Sequence, residues 1–212
     1  MRRCSGAFRL ATGYYKFQKR RKTAALQTLS RPIQHAREAA CLCCSTFGKV
    51  ISIMRKVNLK EIEEYSWSSP KGKFTGAGKG LSEALGRDPA STDLMTRHPF
   101  DVEITRVPAG QTPYPYHLHS AQWEFYYVLS GKGSVRDKDG TTELQQGDAF
   151  LFGPDEPHQL INNSGEDLLL FVVADNPVGE SCYYPDSKKW LVRSPERRLM
   201  RSESLDYYDG EE

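Results

Sequence analysis

The chain has 212 residues, with 29 Lys and Arg against 27 Asp and Glu, which is long enough for one domain with a proper core. The near balance conceals an asymmetry: residues 1–56 hold 13 of the basic residues and a single acid, Glu38, leaving 16 against 26 and a net of −10 beyond. The longest purely apolar run outside that segment, Leu168 to Ala174, is far too short to cross a bilayer. These features exclude a membrane-spanning helix and imply a soluble, cytoplasmic protein with Cys182 reduced.

Taken in chain order, residues 1–56 form a basic extension with KRRK at Lys19 to Lys22 and four of the five cysteines, including CLCC from Cys41 to Cys44. The cysteines lack a second ligand pair at finger-like spacing, and neighbouring Cys43 and Cys44 cannot easily point at one metal. No helix-turn-helix pattern follows, and the aromatics Tyr14, Tyr15 and Phe17 are too few to interleave the basic residues, so no nucleic-acid partner is expected. An Arg-rich, acid-poor start suits a transit peptide, a disordered tail or residues foreign to the native domain, for which Met54 offers an alternative beginning.

Residues 57–99 read as a lead-in segment. Short helices are expected at LKEIEEYS (Leu59 to Ser66) and LSEALG, with a flexible glycine-rich loop, GKFTGAGKG, at Gly72 to Gly80. That loop is not a phosphate-binding one, because Gly80 stands where Ser or Thr is required.

From residue 100 to 200 the chain is written in strands. Phe100, Val102 and Ile104 alternate with Asp101, Glu103 and Thr105, the period of a half-buried strand. FYYVL, SVRD, TTEL, DAFLF, HQLIN and DLLLFVVA follow, separated by SGKG, a Lys138-Asp139-Gly140 turn and the corner GPDEP. Short strands at roughly ten-residue intervals predict an all-β antiparallel sandwich or barrel. Residues 201–212 form an acidic tail that is most simply solvated.

Chemistry concentrates in PYHLHSAQWEFYYVLSG, Pro115 to Gly131. His117 and His119 are two apart and share one face of a strand. Glu124 would fall on the opposite face of a continuous strand, unless a bend at Ser120-Ala121 resets the phase. Two imidazoles and a carboxylate suit a borderline transition metal, and His158, after the GPDEP corner, supplies a third imidazole. Of the remaining histidines, His35 lies in the extension and His98 precedes Pro99. Tyr126 shares the face of Glu124 and is expected to line the cavity. Asn162 lies on the face of His158, lining the pocket or capping a turn. No residue is marked by spacing as a general base, so the catalytic residues are unknown.

These residues resemble the cupins. Gly110, His117, His119, Glu124 and Gly131 fill the first cupin motif, with gaps of six, one, four and six residues. Gly147, Asp148, Pro154, His158 and Asn162 fill the second, which departs from the pattern at its corner: proline comes one place late, and Asp155-Glu156 occupies a turn normally eased by glycine. YYPDSKKW, Tyr183 to Trp190, looks like the endings of small single-domain cupins of unassigned activity. The resemblance implies a cupin-type double-stranded β-helix, a jelly-roll-like barrel, and a homodimer. It also implies one divalent transition metal (manganese, iron, nickel or zinc) held by His117, His119, Glu124 and His158. The activity implied is that of a small-molecule isomerase or dioxygenase; the alternative is a module that holds a metal or small ligand without turnover.

Overall fold

The structure is a computed structural model that describes residues 54–89, 91, 93–193 and 197–211. Of the basic extension, residues 1–53 lie outside the described residues, and with them KRRK, CLCC and His35. The described strands are β1 (Tyr65–Ser68), β2 (Thr75–Gly80), β3 (Phe100–Val107), β4 (Leu118–His119), β5 (Glu124–Ser130), β6 (Lys132–Arg136) and β7 (Thr141–Gln145). They continue with β8 (Ala149–Phe152), β9 (Gln159–Ile161), β10 (Leu168–Asp175), β11 (Ser181–Tyr184), β12 (Lys189–Val192) and β13 (Arg198–Met200). Among the described residues, helix is confined to α1 (Leu81–Ala84), α2 (Leu94–Arg97) and two single 3-10 turns. No described helix is long and apolar enough to cross a membrane.

Every strand pairing is antiparallel. The largest sheet runs β1-β2-β3-β10-β5-β8; β13-β12-β11-β4 and β7-β6-β9 form the other two. Between the six-stranded sheet and β7-β6-β9 lies an apolar cluster of Val107, Tyr126, Val128, Val135, Leu144, Leu160, Leu168, Leu170 and Val172, contributed by six strands. A second cluster, Trp67, Tyr114, Cys182, Tyr184 and Leu191, joins β1 to β11 and β12.

The lead-in segment departs from its sequence reading. GKFTGAGKG is not a flexible loop, because its second half is strand β2, seated between β1 and β3. The glycines make room for aromatics from the neighbouring strand: Trp67 pairs with Gly76 and Tyr65 with Gly78. A β-carbon at Gly76 would collide with the Trp67 ring, and one at Gly78 would sit 2.9 Å from the Tyr65 hydroxyl. Here glycine marks close cross-strand packing, as it often does inside strands. The helix expected at LKEIEEYS shrinks to the turn Leu59–Glu61. Tyr65 enters β1 instead, and its hydroxyl donates to Glu103 at 2.7 Å, a tertiary contact that overrides weak helical periodicity.

Strand β3 has the expected period with the opposite phase. Its inward residues are Asp101, Glu103, Thr105 and Val107, all buried, whereas Phe100 is half exposed. The polar ones are paired inside: Arg87 reaches Asp101 and Glu83 at 3.0 Å each, and Glu103 accepts from Tyr65 and Thr105. Buried charges persist only when paired in this way.

The apolar residues consequently cover the outer face. Val102, Val173, Phe125 and Leu151 form one cross-strand row, and Ile104, Phe171, Tyr127 and Ala149 form the next. Leu151 is 52% exposed, Tyr127 39% and Phe125 37%. A contiguous apolar band of this kind is unusual on a free surface.

Candidate metal centre

Backbone pairing brings the two motif segments together. His117 and His158 form an isolated antiparallel bridge, with N–H to O distances of 3.1 and 2.8 Å in the two directions. Residues opposite one another on paired strands place their side chains on the same face, so these imidazoles meet with ring centroids 4.7 Å apart. His119 follows on β4 and pairs with Cys182 of β11. The chain then leaves β4, bends through Ser120 and Ala121, and enters a different sheet as β5, which begins at Glu124. That change of sheet supplies the phase reset and turns Glu124 inward beside the histidines.

All four side chains are almost fully buried, Glu124 and His119 at 1% and 2% exposure. The candidate ligand atoms of His117, Glu124 and His158 lie within 4.8 Å of one another. Nε2 of His158 is 3.0 Å from one Glu124 oxygen, and Nε2 of His119 is 3.5 Å from the other. The Nδ1 atoms are occupied elsewhere, at Pro115 O (2.9 Å) for His117, Glu156 O (3.1 Å) for His158 and Glu180 Oε1 (2.9 Å) for His119. Because each of those partners can only accept, each Nδ1 carries a hydrogen, and each Nε2 is the nitrogen left for another partner.

Nε2 of His119 and Oε1 of Glu124 have no hydrogen-bond partner and are shut away from water. At 3.5 Å the two attract as charges without making a hydrogen bond, and a cation between them would satisfy both. Three imidazoles of matching tautomer and one carboxylate are a donor set that fits a divalent transition metal.

Electrostatics follow from this crowding. Burial, with His158 and His119 alongside, pushes the pKa of His117 down to about 3. Burial also opposes a proton on His119, but Glu124, then Cys182 and Glu180, outweigh it and hold that pKa well above the ordinary imidazole value. Burial alone would raise Glu124, yet His119 and the close contact with His158 keep it well below the usual carboxylate range.

Tyr126 donates to Glu124 Oε2 at 2.7 Å and stacks on Phe150. Asn162 does not reach the imidazoles. Its amide hydrogens go to Val107 O and Glu166 O at 2.8 and 2.7 Å, and its oxygen accepts from Ser164, so it holds the turn between β9 and β10. Tyr114, one of the aromatics that flank the histidine pair in the sequence, places a buried hydroxyl without a partner near His117. Two contributors had no signal in the sequence: Phe152 stacks on His158 at 4.2 Å, and Glu180 holds His119. Glu180 lies 56 residues beyond Glu124 in no recognisable motif; only the β4–β11 pairing brings it near.

The corner before His158 keeps its shape without the usual glycine. Asp155 adopts φ +63°, and its N–H donates to His119 O at 2.8 Å. Aspartate is among the residues that tolerate the left-handed region. Asp155→Gly is therefore expected to melt at or slightly above the parent temperature. Asp155→Val, β-branched at positive φ, is expected to lose roughly 1–2 kcal/mol; equal melting of the two variants would contradict this account.

Antiparallel sheets closed around an inward cluster of three histidines and a glutamate define a double-stranded β-helix barrel with a candidate metal box. Residues 103–174 match the family model described as Cupin domain, and this part of the chain is a cupin domain. A protein from Acidithiobacillus ferrooxidans, described as a candidate sugar phosphate isomerase, superposes with a TM-score of 0.59 at 23% identity, covering 69% of this chain and 92% of its own. A cupin-superfamily sugar phosphate isomerase from Silicibacter pomeroyi does so with a TM-score of 0.58 at 22% identity, covering 72% and 97%. At these identities the likeness establishes the fold. Comparison with curated proteins gave no match.

Proposed function

We propose that the protein binds one divalent transition metal through His117, His119, Glu124 and His158 and acts on a small, oxygen-rich molecule as an isomerase. The observation that carries the metal reading is the pair of unpartnered atoms, Nε2 of His119 and Oε1 of Glu124, in a box where every Nδ1 is already engaged. A bound ion would act as a Lewis acid toward a carbonyl or hydroxyl oxygen. The chain's own residues supply the rest. Tyr126 fixes the Glu124 carboxylate, and Tyr114, its pKa raised by burial and by Glu103, keeps a neutral hydroxyl available to a ligand. Phe152 shields His158 from water.

The names of the two solved relatives suggest phosphorylated aldoses and ketoses as the first compounds to try. Elemental analysis of purified protein, followed by isomerisation assays of the manganese- and zinc-loaded forms, tests the reading. One ion per chain with turnover supports it, and metal-free protein overturns it. One ion without turnover favours the second reading, a non-catalytic metal- or ligand-binding module, which the near-complete burial of all four residues supports.

The partner proposed for the outer apolar band is a second copy of this chain, giving a homodimer, since one band laid on its twin is self-complementary. Leu151→Lys, at the most exposed point of the row, is expected to shift the mass measured by light scattering from dimer to monomer without altering the far-ultraviolet dichroism. A monomeric parent protein would remove this expectation.

A further inference from the structure

Glu180 is buried at 3% exposure and lies outside the proposed metal box. Its two oxygens do different work. Oε1 accepts from Nδ1 of His119 at 2.9 Å, while Oε2 accepts from the backbone N–H groups of Ala121 and Gln122 at 2.9 and 3.0 Å. One carboxylate thus holds the ring of His119 and also the bend that carries the chain from β4 to Glu124. The bend is tied to the same element a second time: Ser120 N donates to Ser181 O, and Ser181 N donates to Ser120 Oγ, both at 2.9 Å.

We propose that Glu180 is the positioning residue of the metal centre, fixing the His119 tautomer and the bend that turns Glu124 inward, an inference that rests on the metal reading above. With Nδ1 protonated against Glu180, Nε2 is the nitrogen whose lone pair an ion would take on displacing its proton, and it faces Glu124 across 3.5 Å. A carboxylate behind a ligating imidazole also raises its basicity, and loss of such a partner commonly weakens metal affinity about 10–100-fold. Cys182 sets the rival arrangement. Its Sγ is 3.5 Å from His119 Nδ1 and 3.9 Å from Glu180 Oε1, so the three residues form a candidate ligand group of their own. A metal there would need Nδ1 bare. The 2.9 Å contact with a carboxylate oxygen is a hydrogen-bond distance, and it favours the proton.

The test uses Co(II), whose visible spectrum reports its ligands, on the full chain with Glu180→Gln, Glu180→Asp and Cys182→Ser. In Glu180→Gln the side chain can still accept from Ala121 and Gln122. An amide nitrogen facing His119 would donate to Nδ1 and drive the imidazole proton onto Nε2. The expected result is one Co(II) per chain in the parent, about 10–100-fold weaker binding in Glu180→Gln at unchanged stoichiometry, and partial recovery in Glu180→Asp. Cys182→Ser should keep the parent affinity and spectrum. A purely structural loss would not be recovered by the shorter carboxylate of Glu180→Asp. Affinity in Glu180→Gln within threefold of the parent overturns the inference while leaving the metal reading intact. A thiolate-to-cobalt band that vanishes in Cys182→Ser overturns it in favour of the Cys182 site. Absence of Co(II) binding in the parent overturns the metal reading itself. Should Glu180→Gln fail to fold, Glu180→Asp carries the comparison, with parent-like affinity as the contrary result.

Discussion

Glu124→Ala is expected to leave the protein without stoichiometric metal and to lower its unfolding free energy by about 3–5 kcal/mol, the range for deleting one partner of a buried charged pair. The reason is that one carboxylate serves several groups. Glu124 accepts from Tyr126 at 2.7 Å, lies 3.0 Å from His158 Nε2 and supplies the charge that holds the proton on His119. Without it, the Tyr126 hydroxyl is left buried without its acceptor, and His119 loses the larger of the two carboxylate contributions that hold its proton. His117→Ala provides the contrast. With its pKa near 3, His117 is neutral at ordinary pH, and its ring hydrogen bond is to a single backbone carbonyl, Pro115 O. That variant should also lose the metal, but at a stability cost of roughly 1–3 kcal/mol. Elemental analysis and denaturant melts measure both quantities. Retention of one ion per chain by Glu124→Ala would remove the box from consideration.

Metal affinity should rise by about tenfold per pH unit between pH 6 and 8, with one proton released per ion, because the ion must displace the proton that His119 holds in the metal-free protein. The metal-free protein should show the opposite trend over the same window. The pKa of His119 is raised on folding, so its contribution to stability is fully present below the unfolded value near 6.5 and declines as pH climbs through the higher folded value. At the acid end two groups act together. Glu124, depressed on folding, contributes stability above its unfolded value that is lost as pH falls through the folded one. His117, depressed to about 3, favours the folded state above pH 6.5 and loses that preference on acidification. Melting curves with and without metal at pH 6 and pH 8 separate these effects: the gap between them should widen at pH 8. A gap that narrows, or metal uptake without proton release, would contradict the assignment of His119 as the proton-bearing ligand.

Much of the barrel was legible because strand period and turn chemistry are local. FYYVL, TTEL, DAFLF and DLLLFVVA all became strands near the expected bounds. The glycine at 131 is explained by its φ of +84° and by the Asp167 carbonyl, which leaves no space for a β-carbon. What local pattern cannot state is which face of a strand turns inward. Strand β3 shows this plainly: alternation predicted its period, while Arg87 from the loop after α1, Tyr65 from β1 and Thr105 from β3 itself decided that Asp101 and Glu103 go in.

The same division runs through the candidate site. By itself the sequence singled out the four candidate ligand residues and the need for a bend between His119 and Glu124, since residue type and parity are properties of the chain. The tertiary structure alone decided that His117 opposes His158, that three Nδ1 atoms are engaged so that Nε2 faces inward, and that Glu180 and Cys182 stand behind His119. The physical reason is one of range. Spacing along a strand constrains neighbours a few residues apart, whereas hydrogen-bond partners separated by 34 to 61 residues are selected only when sheets pair and the interior closes around them.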